Sequence, residues 1–394
     1  MKNPWRKLPA GIWALGIGSL CMDTSSELIH SLLPLFMVSV LGSSMLTVGI
    51  VEGIAEATAA ITKVFSGAWS DRLGRRKGLM IAGYALAAFT KPLFPLAQSV
   101  TWVLAARFTD RIGKGIRGAP RDALVADITP ASARGAAYGL RQALDSVGAL
   151  LGPALAMLLM LWLANDMRAA MWLAVIPAFL AVLVLTLGVQ EPDRPVAAAV
   201  SDSARTLAGV QRLPLHFWFV VLLGAVFTLA RFSEAFLLLR AQAVGMANAQ
   251  VPLVMIVMNL CYAAVAYPAG AAADRQPPAR LLLAGLLLLV LADAVLALAT
   301  DALAVLAGAA LWGLHMAFTQ GLLAKLVADH VPAGLRGTGF GIFNLATGVA
   351  LLLASVLAGA LWQAYGPQAT FAAGALFAII ATPGLLVYSR KPRR

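Results

Sequence analysis

Asp23, Glu27 and His30 stand at i, i+4 and i+7 within an apolar stretch of spanning length, so a helix there carries two carboxyls and an imidazole on one face. Glu52 and Glu56 share a face of the next apolar stretch in the same way. An ionisable side chain at bilayer depth costs at least ~2.5–3.5 kcal/mol on insertion scales, so each marks either a function or a buried pair. A helix rises about 1.5 Å per residue, which puts Glu27 and Glu56 near mid-membrane. Crowded carboxyls in a low dielectric take up protons more readily than carboxyls in water, which is what a proton-driven carrier needs. An imidazole such as His30 already titrates near neutral pH. The plainer alternative is solvation by a wide aqueous cavity, which leaves the same groups ionised.

Further charges lie in apolar runs: Asp110, Asp145, Glu234 and Asp293, with Lys63, Lys91, Arg107, Arg111, Arg141, Arg231 and Arg240. Their near balance in sign suggests that many are buried pairs holding helices together. Arg141 and Asp145, at i and i+4, suit structure and function equally. In the second half Arg231-Phe-Ser-Glu234 is the clear charge cluster, with Asn259 and His315 as polar candidates. Most titratable groups sit in the first half, so proton handling is expected there, on Asp23, Glu27, Glu56, Arg107 and Asp110. Substrate contacts are expected from both halves: His30, Glu52, Arg111, Arg141, Asp145, Arg231, Glu234, Asn259 and His315.

These residues need a membrane frame. The chain has 394 residues, 60% apolar and 12% charged, and a mean hydropathy of +0.83, far from the roughly one-quarter charged residues of soluble domains. Spans of about 20 apolar residues fit near 11–40, 46–69, 78–98, 101–122, 136–162, 168–189, 214–241, 249–272, 281–299, 302–324, 337–362 and 367–389. With both termini in the cytoplasm, Arg168 is the one residue of the 30 Lys and Arg that falls outside. That asymmetry gives the net charge of +12 a topological meaning and removes nucleic acid as a partner. Cys21 and Cys261 lie in apolar runs and supply neither a disulfide framework nor a thiolate cage. The basic N-terminus leads into a stretch of spanning length without a small-residue cleavage site, so no cleaved signal peptide is expected.

The chain also repeats itself at an offset of roughly 200 residues. Gly67, Asp71 and Arg72 recur as Gly270, Asp274 and Arg275, and Ala126-Asp127 with Pro130 and Arg134-Gly135 recurs as Ala328-Asp329 with Pro332 and Arg336-Gly337. The expected architecture is all-α, twelve transmembrane helices in two pseudo-symmetric six-helix bundles: residues 1–190, a cytoplasmic linker at 191–213, and residues 214–394.

Between the second and third spans lies the basic, Gly-punctuated turn Gly67-Ala-Trp-Ser-Asp71-Arg72-Leu-Gly74-Arg75-Arg76-Lys77. Gly67, Asp71, Arg72, Gly74, Arg75 and Lys77 resemble the corresponding loop of the major facilitator superfamily, where Asp and Arg latch the two halves on the cytoplasmic side. The resemblance implies a latch of Gly67, Asp71, Arg72, Gly74 and Arg75, with Asp71 facing a helix start. The second copy, Asp274 and Arg275, is weaker because Pro277 and Pro278 replace Gly74 and Arg75. Arg107, Gly113 and Gly115 resemble the fourth-span motif linked to proton transfer, although Arg111 stands where that motif has Gly, and Arg117 to Asp122 reads as a cytoplasmic helix end. Gly148-Ala-Leu-Leu-Gly152-Pro153 is similar to the superfamily's antiporter motif, in which small residues four apart allow close helix approach and Pro bends the helix.

The resemblance implies a proton-coupled antiporter of the bacterial inner membrane that exports a small drug-like molecule or metabolite. It would work as a monomer in the bilayer, with protons as its driving force and no cofactor. Import by symport on the same acids is the alternative direction. Glu27-x-x-His30 also has the spacing of carboxylate metal sites in helical bundles, and the first helix is similar to that of bacterial nickel-resistance permeases. With Asp23, these residues are the ligands to expect if nickel, cobalt or iron is the substrate. No second such pair or His-rich tail accompanies them. Neither a nucleophile–base set nor a phosphate loop is present, so an enzyme is not expected. Two charged halves and a latch suit alternating access better than a channel.

Overall fold

The computed structural model describes residues 8–73, 75–130, 133–191, 213–273, 276–332 and 335–390, and among these it contains helices and turns without a strand. In chain order they are α1 (Ala10–Ser39), α2 (Met45–Leu73), α3 (Arg76–Thr90) with a 3-10 turn (Lys91–Leu93), α4 (Val100–Ile128), α5 (Arg134–Trp162), α6 (Met167–Leu173) and α7 (Val175–Gly188). The second half contributes α8 (Leu215–Leu229), α9 (Ala235–Ala243), α10 (Leu253–Ala273), α11 (Pro278–Leu298), α12 (Ala302–His330), α13 (Arg336–Tyr365) and α14 (Pro367–Arg390).

Three expected spans are interrupted. The third leaves α-geometry at Lys91, where Pro92 lacks a backbone donor. The sixth is split at Ala174, just before Pro177. The seventh opens between Leu229 and Ala235, where Ser233 Oγ accepts from the Ala235 N–H and competes with the helical ladder. Several helices run longer than expected, α12 to His330 and α13 to Tyr365 among them. α2 continues to Leu73 because nothing between Gly67 and Gly74 breaks it, and α4 passes Pro120 and ends only at Ile128.

Among the described residues, seven helical segments are long and apolar enough to cross a membrane on length and composition alone. α1 and α4 have the length, but the acids and bases that make them interesting lower their hydropathy. Large apolar side chains point outward, with Trp162 81% exposed and Leu298 80% exposed, as a surface against lipid requires.

By packing, the chain forms two compact units, residues 1–33 with 58–205 and residues 34–57 with 206–394. In the first, α3 packs on α4 and α7, and α4 on α5. Lipid tails are as apolar as leucine, so close backbone approach matters more here than hydrophobic burial. Gly83 and Gly113 provide it: a Cβ on Gly83 would lie 2.8 Å from the Gly113 carbonyl oxygen, and one on Gly113 2.7 Å from that of Gly83. In the second unit α12 packs on α10 and α11, α11 on α14, and α13 on α8 and α14. The start of α2 belongs to this unit, with Gly53 seated on Leu352 of α13.

The internal repeat survives as structure. α4 and α12 both start under a side-chain cap, Ser99 accepting from the Trp102 N–H and Asp301 from the Ala304 N–H. Both end before an extended residue and a proline, Thr129-Pro130 and Val331-Pro332.

Candidate functional site: an ionic ladder on the first helix

One face of α1 carries Ser19, Asp23, Ser26, Glu27 and His30, and within the first unit each of them meets a polar partner. Arg121 of α4 donates to Ser19 Oγ at 2.6 Å. Arg117 Nη2 lies 3.6 Å from Asp23 Oδ1, and its guanidinium covers the Tyr84 ring at 4.6 Å from the centroid. Lys91 donates to Ser26 Oγ at 3.0 Å and to Asp110 Oδ1 at 2.8 Å. Glu27 and His30 pair with each other at 3.5 Å. The partners come largely from α4, where Arg107, Arg111, Lys114, Arg117 and Arg121 recur at three- and four-residue spacing and so share a face.

α5 closes this arrangement at two levels. Toward its start, Arg141 donates to Asp145 at 2.8 Å and lies 3.6 Å from Asp122, while Arg121 reaches Asp145 at 3.9 Å. Further along, its glycines meet the acid face of α1. A Cβ on Gly148 would fall 2.8 Å from the Leu20 carbonyl oxygen and 3.0 Å from Asp23 Cβ. One on Gly152 would fall 2.6 Å from Glu27 Cβ and 2.8 Å from the Thr24 carbonyl oxygen. The antiporter-like motif, Gly148, Gly152 and Pro153, therefore seats α5 against the backbone that presents Asp23 and Glu27.

Other expected residues fall elsewhere. Glu52 is buried in the second unit, where Ser233 Oγ lies 3.5 Å from its Oε2, and Glu56 is partly buried in the same unit. Arg231 and Glu234 bracket the opened stretch between α8 and α9, both partly buried, and Asn259 is partly buried on α10. His315 links two helices: its Nδ1 bonds the Gly285 carbonyl of α11 at 2.8 Å. Asp23, Glu27 and His30 do not assemble as a metal site. Asp23 turns to Arg117 and Glu27 to His30, and among the described residues no three His, Cys, Asp or Glu side chains converge to hold an ion.

The expected latch is described only in part. Gly67 lies inside α2 and Arg75 precedes α3 in extended conformation. The side chains of Asp71 and Arg72, and all of Gly74, Asp274 and Arg275, lie outside the described residues. At the start of α3 it is Glu191 that accepts from the backbone N–H groups of Arg76 and Lys77, and Arg76 pairs with Asp127 at 3.0 Å.

Sequence reasoning passed over Ser19, Tyr84, Arg117, Arg121 and Glu191. The helical spacing of the α4 cations was a usable signal for Arg117 and Arg121, but reading Arg117 to Asp122 as a cytoplasmic helix end hid it. Nothing local marks Tyr84 or Glu191.

An all-helical membrane architecture whose two halves match one sequence pattern, with a charged face inside the first unit, defines a multi-pass secondary transporter rather than an enzyme. The sequence pattern of the Major Facilitator Superfamily matches residues 15–239 and 224–394, and the chain belongs to that superfamily. It is 31% identical over 390 residues to an uncharacterized MFS-type transporter of Methanocaldococcus jannaschii, covering 97% of this chain and 95% of the relative. Over 144 residues it is 32% identical to the multidrug resistance protein MdtH of Edwardsiella ictaluri, covering 36% of this chain and 35% of the relative. The crystal structure of a D-xylose-proton symporter shares the fold at a TM-score of 0.77 and 16% identity, covering 95% of this chain and 96% of that one.

Proposed function

We propose that this carrier is a proton-coupled antiporter that exports a small organic molecule across the cell's inner membrane by alternating access. In this reading the bundles are residues 1–190 and 214–394, joined by a cytoplasmic linker at 191–213, with both termini in the cytoplasm and the monomer as the working unit. The protonmotive force takes the place of any cofactor. The observation that carries the reading is the seating of Gly148 and Gly152 on α1 at Asp23 and Glu27. Motion of α5 against α1 then changes the surroundings of the same carboxyls that would load and release protons. Arg117 faces Asp23 and is the cation whose approach would drive a proton off. Glu56, Arg107 and Asp110 complete the proton-handling set, and the loop around Asp71 supplies the latch.

Partial similarity to a multidrug resistance protein supports efflux. The divided ion pairing of Asp23 and Glu27 favours an organic substrate over a divalent metal. Accumulation of a panel of drug-like cations, organic acids and divalent metal salts is to be measured in cells with and without the carrier. Export predicts lower accumulation of at least one organic compound in expressing cells, reversed by an uncoupler. Higher, uncoupler-sensitive accumulation in expressing cells would instead establish symport and overturn the direction proposed here.

A further inference from the structure

The second unit contains an acid that the coupling scheme does not use. Asp293 of α11 is 0% exposed, and neither of its carboxyl oxygens has a hydrogen-bond partner among the described residues. Its Oδ2 occupies the space a side chain at position 374 of α14 would take: a Cβ there would fall 2.6 Å from Oδ2 and 3.1 Å from the Phe232 ring edge. Gly374 and Phe232 also line a shallow recess, together with Leu229, Leu357, Thr370 and Phe377. Phe232 belongs to the non-helical stretch between α8 and α9 and packs on Trp312 and Phe371 at ring-centroid distances of 5.3 and 5.4 Å.

The charged and titratable groups on the elements packed around α11 are engaged elsewhere or lie out of ion-pair reach. On α12, His315 is bonded to the Gly285 carbonyl. On α9, Arg240 donates to the carbonyls of Leu296 and Ala299 at the end of α11. Cys261, Tyr262 and Tyr267 are carried by α10, and the described side chains of α14 include no titratable group. Arg231 and Glu234 lie in the opened stretch. Among the described residues none of these is within ion-pair distance of Asp293.

A carboxylate in such a place would lack both a countercharge and a donor, and a group so placed neutralises rather than stay charged. A metal cation is a poor alternative occupant, because hard cations ask for several oxygen ligands and the recess is lined mainly by apolar side chains.

We propose that Asp293 is a proton-binding site in the C-terminal half, distinct from the acids of α1. It is loaded in the conformation described here and unloaded when the stretch between α8 and α9 rearranges. Phe232 is the cover over the carboxyl, and Arg231, the next residue along, is the cation that the same rearrangement can bring nearer. The break is the natural mover, because three consecutive residues there lie outside any helical ladder.

Full-length wild type and Asp293→Asn, purified and reconstituted in lipid, are to be compared by infrared spectroscopy at pH 7, in H2O and in D2O, then at alkaline pH. Expected is a carboxylic-acid carbonyl band in the wild type that is absent from Asp293→Asn, shifts down in D2O and is lost reversibly on alkalinisation. Three results overturn the proposal: a difference confined to carboxylate bands, an acid band that responds to neither D2O nor pH, and a band removed by sodium ions at constant pH. Should Asp293→Asn fail to assemble, wild type carrying 13C-aspartate and the variant Gly374→Ala give the same reading. The added methyl presses on Oδ2, so the isotope-shifted acid band must move in Gly374→Ala, and an unmoved band overturns the assignment. The measurement needs no substrate and does not involve Asp23 or Glu27, so it can fail while the export reading stands.

Discussion

Arg117 holds two partners at once, Asp23 with Nη2 to Oδ1 at 3.6 Å and the Tyr84 ring with the guanidinium 4.6 Å from its centroid. Only a planar, delocalised cation does both, because stacking on a ring leaves the edge of the fork free for a carboxylate. A lysine can keep the charge near Asp23 but not the stack. Arg117→Lys is therefore expected to lower thermal stability by the loss of a desolvated cation–π contact, about 2 kcal/mol, and to reduce transport without abolishing it. Arg117→Gln is expected to do both more severely. Tyr84→Phe keeps the ring and loses only the hydroxyl's long 3.4 Å bond to Ser19 Oγ, so it should lower the melting temperature less than Arg117→Lys in a thermal-shift assay in detergent. Equal stability for Arg117→Lys and wild type would remove the stack from the account.

Lys91 and Asp110 form a deeply buried ion pair in the first unit, with side chains 1% and 6% exposed and 2.8 Å apart. Removing one member of such a pair leaves the other charge without compensation and costs about 3–5 kcal/mol, whereas removing both can be nearly neutral. Lys91→Met alone and Asp110→Asn alone are each expected to depress the melting temperature strongly. The double variant Lys91→Met with Asp110→Leu should recover most of the loss. If it melts no higher than either single variant, the pair is not acting as a unit.

How much was legible beforehand differs by level. The acid face of α1, the Arg141–Asp145 pair and the repeat were readable because each depends only on helical period or on self-similarity within the chain. The breaks at Lys91 and Ala174 had prolines nearby but sat inside apolar runs that read as continuous spans. The partners of the acids were less visible. Arg117 and Arg121 read as a solvated cytoplasmic helix end, whereas they sit inside α4 and reach Asp23 and Asp145. Glu191 lies more than a hundred residues from the N–H groups of Arg76 and Lys77 that it accepts from, and no local pattern announces a contact at that range.

The glycines of α5 permit an internally controlled test. On one helix, a Cβ at Gly152 would meet Glu27 Cβ and the α1 backbone within 2.8 Å, whereas a Cβ at Gly139 meets nothing within 4 Å. Overpacking a close contact costs typically 1–3 kcal/mol. Gly152→Ala is expected to destabilise the carrier by about that amount, and Gly152→Val to stop transport. Gly139→Ala should leave both unchanged, or stabilise slightly through its better helix propensity. Similar transport by Gly152→Val and Gly139→Ala would mean that the α1–α5 seam does not carry the motion assigned to it.

The coupling assignment makes the sharpest distinction, because it separates two activities of one protein. A proton moving down about 100 mV is worth roughly 2.3 kcal/mol, enough to hold a substrate gradient of about fifty-fold at 1.4 kcal/mol per factor of ten. Delivering it requires a carboxyl whose surroundings differ between the two carrier states. Asp23 has a cation 3.6 Å away on α4 and a glycine contact from α5 at its Cβ, so relative movement of either helix alters its field. Glu27 has the α5 contact but pairs with His30 on its own helix, and that pair travels with α1. In proteoliposomes with a substrate found by the accumulation screen, Asp23→Asn is expected to abolish uphill transport driven by a pH gradient. It should spare exchange between two substrate pools at equal pH. Glu27→Gln should show a smaller loss of uphill transport, since its partner moves with it. If Asp23→Asn keeps full pH-driven transport while Glu27→Gln loses it, coupling resides on the Glu27–His30 pair, and Arg117 serves only to hold α4 against α1.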